Sequence, residues 1–212
     1  MYFIRAVLAA ILLSVTVEAA PVTIALEPCA EEVDAVGAEC GRLKVFEDRA
    51  HGEGRTISLN IAVLPALDTD RKPDPLFILT GGPGQAATDA APLAETAMRR
   101  IREHRDIVLV DQRGTGDSHP LDCAPVDADS AYYMLDVGID DMDAMLQPLR
   151  DCLEGYDADV RMYTTPIAMD DLNDVRIGLG YEHINLYGIS YGSRAALIYL
   201  RRHPETVRSV IV

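Results

Sequence analysis

The sequence predicts an α/β fold in which a mostly parallel sheet carries helices on both faces. Short continuous apolar runs, typical of strands covered on both faces, stand at residues 76–79, 107–110 and 184–187. Helical segments separate these runs, at residues 89–104 and from Pro166 onward. Earlier in the chain, residues 56–63 alternate polar and apolar side chains, which indicates a half-exposed antiparallel strand. An opening hairpin followed by alternating strands and helices is typical of an open α/β sheet.

Length and composition limit the function classes. A chain of 212 residues with 49% hydrophobic content can bury the core of one globular domain or most of one. The formal net charge of -15 argues against nucleic acid as a partner, because an acidic surface repels phosphate groups. Such a surface is ordinarily a solvated face and carries no information about the fold.

The first 19 residues have the pattern of a signal peptide. Arg5 precedes an apolar run from Ala6 to Leu13. Val17 and Ala19 then place small residues at the positions before the cleavage site that a signal peptidase recognises. The run is short for a membrane span, so we predict cleavage after Ala19 and a secreted or periplasmic protein without stable membrane insertion. An uncleaved anchor is the alternative.

Four cysteines fit an oxidising compartment. They lie in two local pairs, so we predict disulfides Cys29–Cys40, within a segment at residues 20–42, and Cys123–Cys152, although sequence alone permits three pairings. Their spacing matches no zinc or redox motif, and we expect no metal or cofactor.

The predicted domain occupies residues 43–212. Its first strand is predicted at Leu43–Glu47, a turn at His51–Gly54 leads to the alternating strand, and a last strand begins at Val207. The helix from Pro166 has an apolar stripe of Ala168, Leu172, Val175 and Leu179. Residues 118–165 are predicted to be an irregular insertion, because Pro148 interrupts the helical spacing there.

The most informative stretch surrounds Ser190. An apolar run ends in Gly-x-Ser-x-Gly, and small helix-forming residues follow at once, which predicts a sharp turn from strand to helix. Such an elbow lifts a serine hydroxyl clear of the sheet, where it can act as a nucleophile. Gly188 and Gly192 would leave room for the strand and helix to approach closely, and the Tyr191 N–H could donate to an oxyanion.

Two further motifs follow buried strands. Thr80-Gly-Gly-Pro-Gly-Gln85 comes after the strand ending at Leu79, and its Gly82 N–H is the candidate for a second oxyanion donor, with Gly81 and Gly84 as loop support. A plain tight turn is the alternative. Asp111 and Arg113 come after the next strand, and we assign them a structural role as charged braces of the loops around the elbow.

Together these three motifs resemble those of the α/β-hydrolases of the proline iminopeptidase and tripeptidyl aminopeptidase family. The resemblance covers roughly residues 40–212 and implies the α/β-hydrolase fold and a serine exopeptidase that removes residues from peptides with a free N-terminus. It implies Ser190 as nucleophile and Gly82 and Tyr191 as oxyanion donors. The iminopeptidases usually have His where this chain has Thr80. This side-chain difference leaves the backbone N–H donors of the oxyanion hole in place, so we expect it to affect substrate specificity more than activity.

The resemblance also implies partners for Ser190 that we do not find. In this fold the triad runs Ser, then Asp or Glu, then His, yet only 22 residues follow Ser190. His203 lies about 20 Å from Ser190 along the predicted helix, too far to act as its base, and we expect it to be a solvated residue at the end of that helix. His119 is the only other histidine that we would place near the site. We therefore expect the N-terminal part of a longer enzyme, without its lid, later strands and triad Asp and His, inactive as it stands and with an exposed apolar sheet edge.

Two alternatives to the aminopeptidase remain open. An esterase or lipase would use the same elbow, because it transfers acyl groups from esters and amides alike. A secreted binding protein could have kept the fold and lost the chemistry. The residue or peptide released and the oligomeric state are not indicated by the sequence.

Overall fold

A computed structural model describes residues 22–29, 33, 35–122 and 142–212, without the side chains of residues 142, 144 and 145. The predicted signal peptide and Cys123 lie outside the described residues, so the signal peptide and the Cys123–Cys152 disulfide stay predictions. None of the helices within the described ranges is long and apolar enough to cross a membrane.

One seven-stranded sheet organises the fold. Its strands are β1 Glu27–Pro28, β2 Glu39–Phe46, β3 Thr56–Leu64, β4 Leu76–Leu79, β5 Ile107–Val110, β6 Ile184–Gly188 and β7 Val207–Ile211. The spatial order is β1-β2-β3-β5-β4-β6-β7. The first three strands pair antiparallel, β3 also pairs antiparallel with β5, and the remaining pairs are parallel. The predicted α/β-hydrolase architecture, an antiparallel hairpin leading into a mostly parallel sheet, is confirmed.

Helices cover both faces of the sheet. The α-helices are α1 Ala91–Glu95, α2 Arg99–Arg102, α3 Met142–Gly155, α4 Thr165–Gly178 and α5 Tyr191–Arg202. Among the described residues, 3-10 turns lie at Thr88–Ala90, Val160–Met162 and Pro204–Thr206. Helices α4 and α5 pack on one face in a core with β3, β4 and β6, whereas α1 packs on the other face. Four-residue strands β4 and β5 are buried throughout, as expected for central strands with two covered faces.

Two predicted elements differ from the structure. Strand β2 begins at Glu39 rather than Leu43, because Glu39 and the residues after it already pair with β3. The single helix predicted at residues 89–104 is split into α1 and α2. Thr96 leaves helical geometry between them, and its hydroxyl donates to the Pro92 carbonyl oxygen over 2.8 Å. Threonine hydroxyls that bond to the preceding turn weaken regular helix geometry.

The predicted insertion at residues 118–165 is partly regular where it is described. Helix α3 runs through Pro148, and a 3-10 turn follows at Val160–Met162. At the start of the chain, the predicted disulfide Cys29–Cys40 is present and joins the loop after β1 to β2. The disulfide thus closes the loop between two strands that also pair with each other.

An ionic cluster joins the beginnings of the parallel strands. The buried Asp74 carboxylate, just before β4, accepts hydrogen bonds from Arg105 Nε at 3.1 Å and Asn185 Nδ2 at 2.8 Å, and Arg208 Nε lies 3.3 Å away. Burial raises the pKa of Asp74, but the hydrogen bonds from Asn185 and Arg105 and the positive charges outweigh it, so the pKa lies below its usual value. The ionised carboxylate therefore ties β4, β6 and β7 together.

We expect the substitution Asp74→Asn to destabilise the protein at neutral pH by about 1–3 kcal/mol, because it removes a charge-assisted partner of two arginines. A depressed pKa contributes stability that is present above the unfolded-state pKa near 3.9 and is lost as the pH falls through the folded-state pKa. The deficit should therefore shrink between pH 5 and pH 2. Denaturant unfolding across this range, with the exposed Asp70→Asn as control, measures it. A constant deficit at every pH would refute the assignment.

Candidate active site

The predicted elbow is the sharpest backbone feature of the molecule. Strand β6 ends at Gly188, α5 begins at Tyr191, and Ser190 stands between them with φ 55° and ψ -118°. A non-glycine residue rarely adopts this conformation, which costs about 1–3 kcal/mol and persists only where the surroundings impose it. The Ser190 side chain is exposed. The hydroxyl is thus held at the carboxyl end of the sheet, where ligands bind in open α/β folds.

Close contact between helix and strands imposes this geometry. A Cβ atom on Gly192 would lie 1.9 Å from the Leu79 carbonyl oxygen, and one on Gly188 would lie 2.5 Å from the Gly192 carbonyl oxygen. Real Cβ atoms do not approach other atoms so closely, so only glycine fits at either position. The Ile189 N–H also donates to the Leu79 oxygen over 2.9 Å, which fixes the elbow to the end of β4.

The loop after β4 lies against the elbow. A Cβ atom on Gly81 would contact Ser190 Cβ at 3.4 Å, which places this glycine beside the candidate nucleophile. Gly82 has φ 102° and Gly84 has φ 117°, in the region that favours glycine. The buried Thr80 closes the loop, because its hydroxyl donates to the Gln85 carbonyl oxygen over 3.0 Å.

Backbone N–H groups of the elbow and of the neighbouring loop remain available, among them those of Tyr191 and Gly82. The Tyr191 amide belongs to the first turn of α5, where amides have no acceptor within the helix. Within the described part of the chain, neither this amide nor that of Gly82 is hydrogen-bonded. The positive end of the helix dipole adds to the attraction for an anion at this point. The two amides are therefore chemically suited to hold a developing oxyanion.

Asp111 braces the loops behind the site. Its buried carboxylate accepts hydrogen bonds from the Thr88 N–H and from Asn60 Nδ2, both at 2.9 Å. Ser118 completes the brace, since its hydroxyl donates to the Asp111 carbonyl oxygen and accepts from the Asn60 N–H, each over 2.7 Å. Asp111 thereby links β3, the loop that follows β5 and the end of the loop around Gly82.

Arg113 is the second brace, and all five of its N–H groups are used. The buried guanidinium forms a two-bond pair with Asp171 of α4, at 2.6 and 2.8 Å. It also donates to the carbonyl oxygens of Phe46, Glu47 and Met162. The planar guanidinium of arginine can form this two-bond pair and reach the carbonyl oxygens at the same time, whereas the ammonium group of lysine cannot. The residue joins four segments below the candidate cleft: the end of β2, its own loop, the 3-10 turn Val160–Met162 and α4.

A cavity of about 580 Å³ opens between these segments. Its walls combine the Gly81–Gln85 loop, the loop after β5 and the first turns of α4 and α5, with Tyr163, Thr165, Tyr191 and Arg194 among the side chains. Tyr191 is held by a 2.6 Å hydrogen bond between its hydroxyl and that of Thr165. The lining of the cavity includes Gly81, which packs next to Ser190, and Tyr191, which follows Ser190 in the chain, so the cavity has the position of a substrate cleft.

The histidines do not provide a base for Ser190. None of the described residues forms a hydrogen bond with the Ser190 hydroxyl. His203 caps the far end of the 12-residue helix α5, about 18 Å from its start at 1.5 Å per residue. There it is half-buried rather than solvated as predicted, because Asp170 lies 3.1 Å from its Nε2 and Tyr199 packs on its ring. His119 stacks on Tyr163, which lines the cavity.

Several residues of the site escaped the sequence analysis. Asn60 and Thr88 hold Asp111, and Asp171 neutralises Arg113, yet none belongs to a recognisable motif. The only sequence signal for Asn60 was that a polar amide stands within the apolar alternation of β3. No group of three or more His, Cys, Asp or Glu side chains among the described residues is arranged to hold a metal ion.

Comparison with known proteins identifies the family. Residues 74–212, more than half of the chain, match the family described as alpha/beta hydrolase fold. The chain is an α/β hydrolase.

Two relatives of this α/β hydrolase are peptidases by name. Serine protease Hip1 of Mycobacterium tuberculosis is 29% identical over 187 residues, which cover 83% of this chain and 35% of that protein. Tripeptidyl aminopeptidase of Streptomyces coelicolor is 26% identical over 205 residues, covering 82% of this chain and 34% of the relative. The chain thus spans about a third of the length of these curated relatives.

A solved structure supports the fold. The crystal structure of proline iminopeptidase from Mycobacterium smegmatis superimposes with a TM-score of 0.51 at 19% identity, covering 80% of this chain and 42% of that one. The predicted resemblance to the proline iminopeptidase and tripeptidyl aminopeptidase family is confirmed for the part of those proteins that the chain spans.

We expect Arg113→Met to destabilise the α/β hydrolase by about 3 kcal/mol. The substitution leaves the buried Asp171 carboxylate with Arg49 as its remaining ion-pair partner and leaves three backbone carbonyl oxygens without their donor. Arg113→Lys should recover only a part of this loss, since an ammonium group cannot form the two-bond pair. Urea unfolding measures both. The control is Arg161→Met, which removes an exposed arginine paired with Asp159 and should cost at most about 1 kcal/mol. Equal losses at Arg113 and Arg161 would contradict the brace.

Proposed function

We propose that this chain carries the nucleophile and oxyanion hole of a secreted serine hydrolase that cleaves peptides from their free N-terminus. The observation that carries the proposal is the exposed Ser190, held at φ 55° on the strand-to-helix elbow beside two unpaired amides. The names of the relatives supply the substrate class, since they include a serine protease and a tripeptidyl aminopeptidase.

In the proposed reaction the Ser190 hydroxyl oxygen attacks the carbonyl carbon of the scissile peptide bond. The carbonyl oxygen becomes an oxyanion, which accepts hydrogen bonds from the N–H groups of Gly82 and Tyr191. Removing one such donor from a serine protease typically reduces kcat by about 10²–10³-fold. The tetrahedral intermediate then expels the amine and leaves an acyl-enzyme on Ser190, which water hydrolyses in a second step.

The proton of the Ser190 hydroxyl needs a base. We propose that the triad histidine and its acid come from a part of the protein outside these 212 residues. Two observations support this. No described histidine is hydrogen-bonded to Ser190, and the chain covers only about a third of its curated relatives. Without the base, the elbow and oxyanion hole alone would retain only residual catalysis.

Secretion is part of the same proposal. The signal-peptide pattern of residues 1–19 and the Cys29–Cys40 disulfide both support an oxidising compartment outside the cytosol.

Fluorophosphonate labelling of the full-length protein tests the nucleophile. We expect covalent labelling that is abolished in Ser190→Ala and kept in Ser58→Ala, a serine in β3. Hydrolysis of fluorogenic prolyl and tripeptidyl amides should fall by about 10⁴-fold or more in Ser190→Ala.

Three other outcomes would each overturn a part of the proposal. No labelling of the folded full-length protein would replace the enzyme by a binding protein of the same fold. Turnover of simple esters with no requirement for a free amine would indicate an esterase or lipase. Labelling retained by Ser190→Ala would assign the reaction to another residue.

A further inference from the structure

The candidate cleft has an unusual charge. The protein as a whole is strongly acidic, with a formal net charge of -15. Yet the residues that line the cavity beside Ser190 include two arginines, Arg113 and Arg194, and no aspartate or glutamate within the described part of the chain. The part of the substrate that enters this cavity therefore meets no lining carboxylate that could bind an amine.

The two arginines differ in what they can offer to a ligand. Arg113 is buried, and its five N–H groups are bound to Asp171 and to backbone carbonyl oxygens. Arg194 is exposed, and within the described ranges its guanidinium forms neither an ion pair nor a hydrogen bond. Arg194 is thus the charged group of the cavity wall whose donors are available to a ligand.

Helix stability does not explain a cation at this position. Arg194 lies in the first turns of α5, four residues after Ser190. Positive charges near a helix N-terminus are unfavourable by about 0.3–1 kcal/mol, and here no described acid compensates. Helical side chains lean towards the N-terminus of their helix, and Arg194 lines the same cavity as Tyr191, the residue after Ser190. The placement suits a group that acts on something bound beside Ser190.

We propose that Arg194 is a specificity-determining residue that binds a carboxylate of the peptide substrate next to Ser190. This inference rests on the proposed peptidase function. The carboxylate belongs either to an acidic side chain near the scissile bond or to the free C-terminus of a short peptide. Guanidinium groups bind both through the same two-bond geometry. The residues that bind the free amine of the substrate then lie elsewhere than in this cavity wall.

The experiment uses the full-length protein and the peptide sequence that it cleaves best. One arm replaces each position near the scissile bond in turn by Glu or Gln, and the other compares free-acid with amidated C-termini. Steady-state kinetics give kcat and KM for wild type, Arg194→Gln and Arg194→Lys. The matched control is Arg201→Gln, an exposed arginine in the last turn of the same helix.

In the wild type we expect one of the two comparisons to show a preference. Either the Glu peptide is cleaved with a kcat/KM about fivefold higher than the Gln peptide, or the free-acid peptide is preferred over the amidated one by the same factor, as for an exposed ion pair. The arm that shows the preference identifies the source of the carboxylate. Arg194→Gln should abolish this ratio through KM, with kcat nearly unchanged, whereas Arg201→Gln should keep it. Arg194→Lys should keep part of the ratio, and the preference should weaken with added salt.

The possible failures are distinguishable. If no peptide is cleaved, the proposed peptidase function is wrong and this inference falls with it. If peptides are cleaved with equal preference by wild type and Arg194→Gln, the function stands and the role of Arg194 is refuted. A fall in kcat that is equal for acidic and neutral peptides would also refute it, because such a change indicates support of the oxyanion instead. Thermal unfolding of each variant excludes loss of the fold as the cause.

Discussion

The close approach of helix α5 to the end of strand β4 is the constraint on which the site depends. The Gly192 Cα lies so near the Leu79 carbonyl oxygen that a side chain cannot be placed between them. The chain must therefore reverse direction within Ile189 and Ser190, and Ser190 takes up the strained φ. The same contact sets the first turn of α5 beside the loop at Gly82. The candidate nucleophile and the candidate oxyanion donors are thus positioned by backbone packing rather than by side-chain contacts.

Buried polar side chains keep the surrounding loops in place. Asp111 and Arg113 follow β5 and connect it to β2, β3 and α4 through hydrogen bonds that leave none of their polar atoms without a partner. Buried charges are tolerated only when they are paired and hydrogen-bonded in this way. The hydrogen-bonding groups of both residues are engaged in these contacts, which hold the loops around the candidate cleft.

The sequence was informative where local rules dominate. Strands β4 and β5 match their predicted bounds, since a continuous apolar run between polar breaks leaves few alternatives. The elbow and the Cys29–Cys40 disulfide were also predictable from short-range patterns. The segment 89–104 is helical as predicted, but it is divided at Thr96, whose hydroxyl donates to the preceding turn. The pairing of Arg113 with Asp171 could not be predicted, since 58 residues separate them and only the folded chain brings them together.

The free energy of unfolding of two glycine variants tests the account most directly. Gly192→Ala places a methyl group against the Leu79 carbonyl oxygen, whereas Gly155→Ala, at the end of helix α3, places one in open space. We predict a loss of about 3 kcal/mol for Gly192→Ala, at the upper end for overpacked cores because the clash is with backbone, and a change within about 1 kcal/mol for Gly155→Ala. If Gly192→Ala were as stable as Gly155→Ala, helix packing would not hold the elbow, and the strained Ser190 would need another explanation.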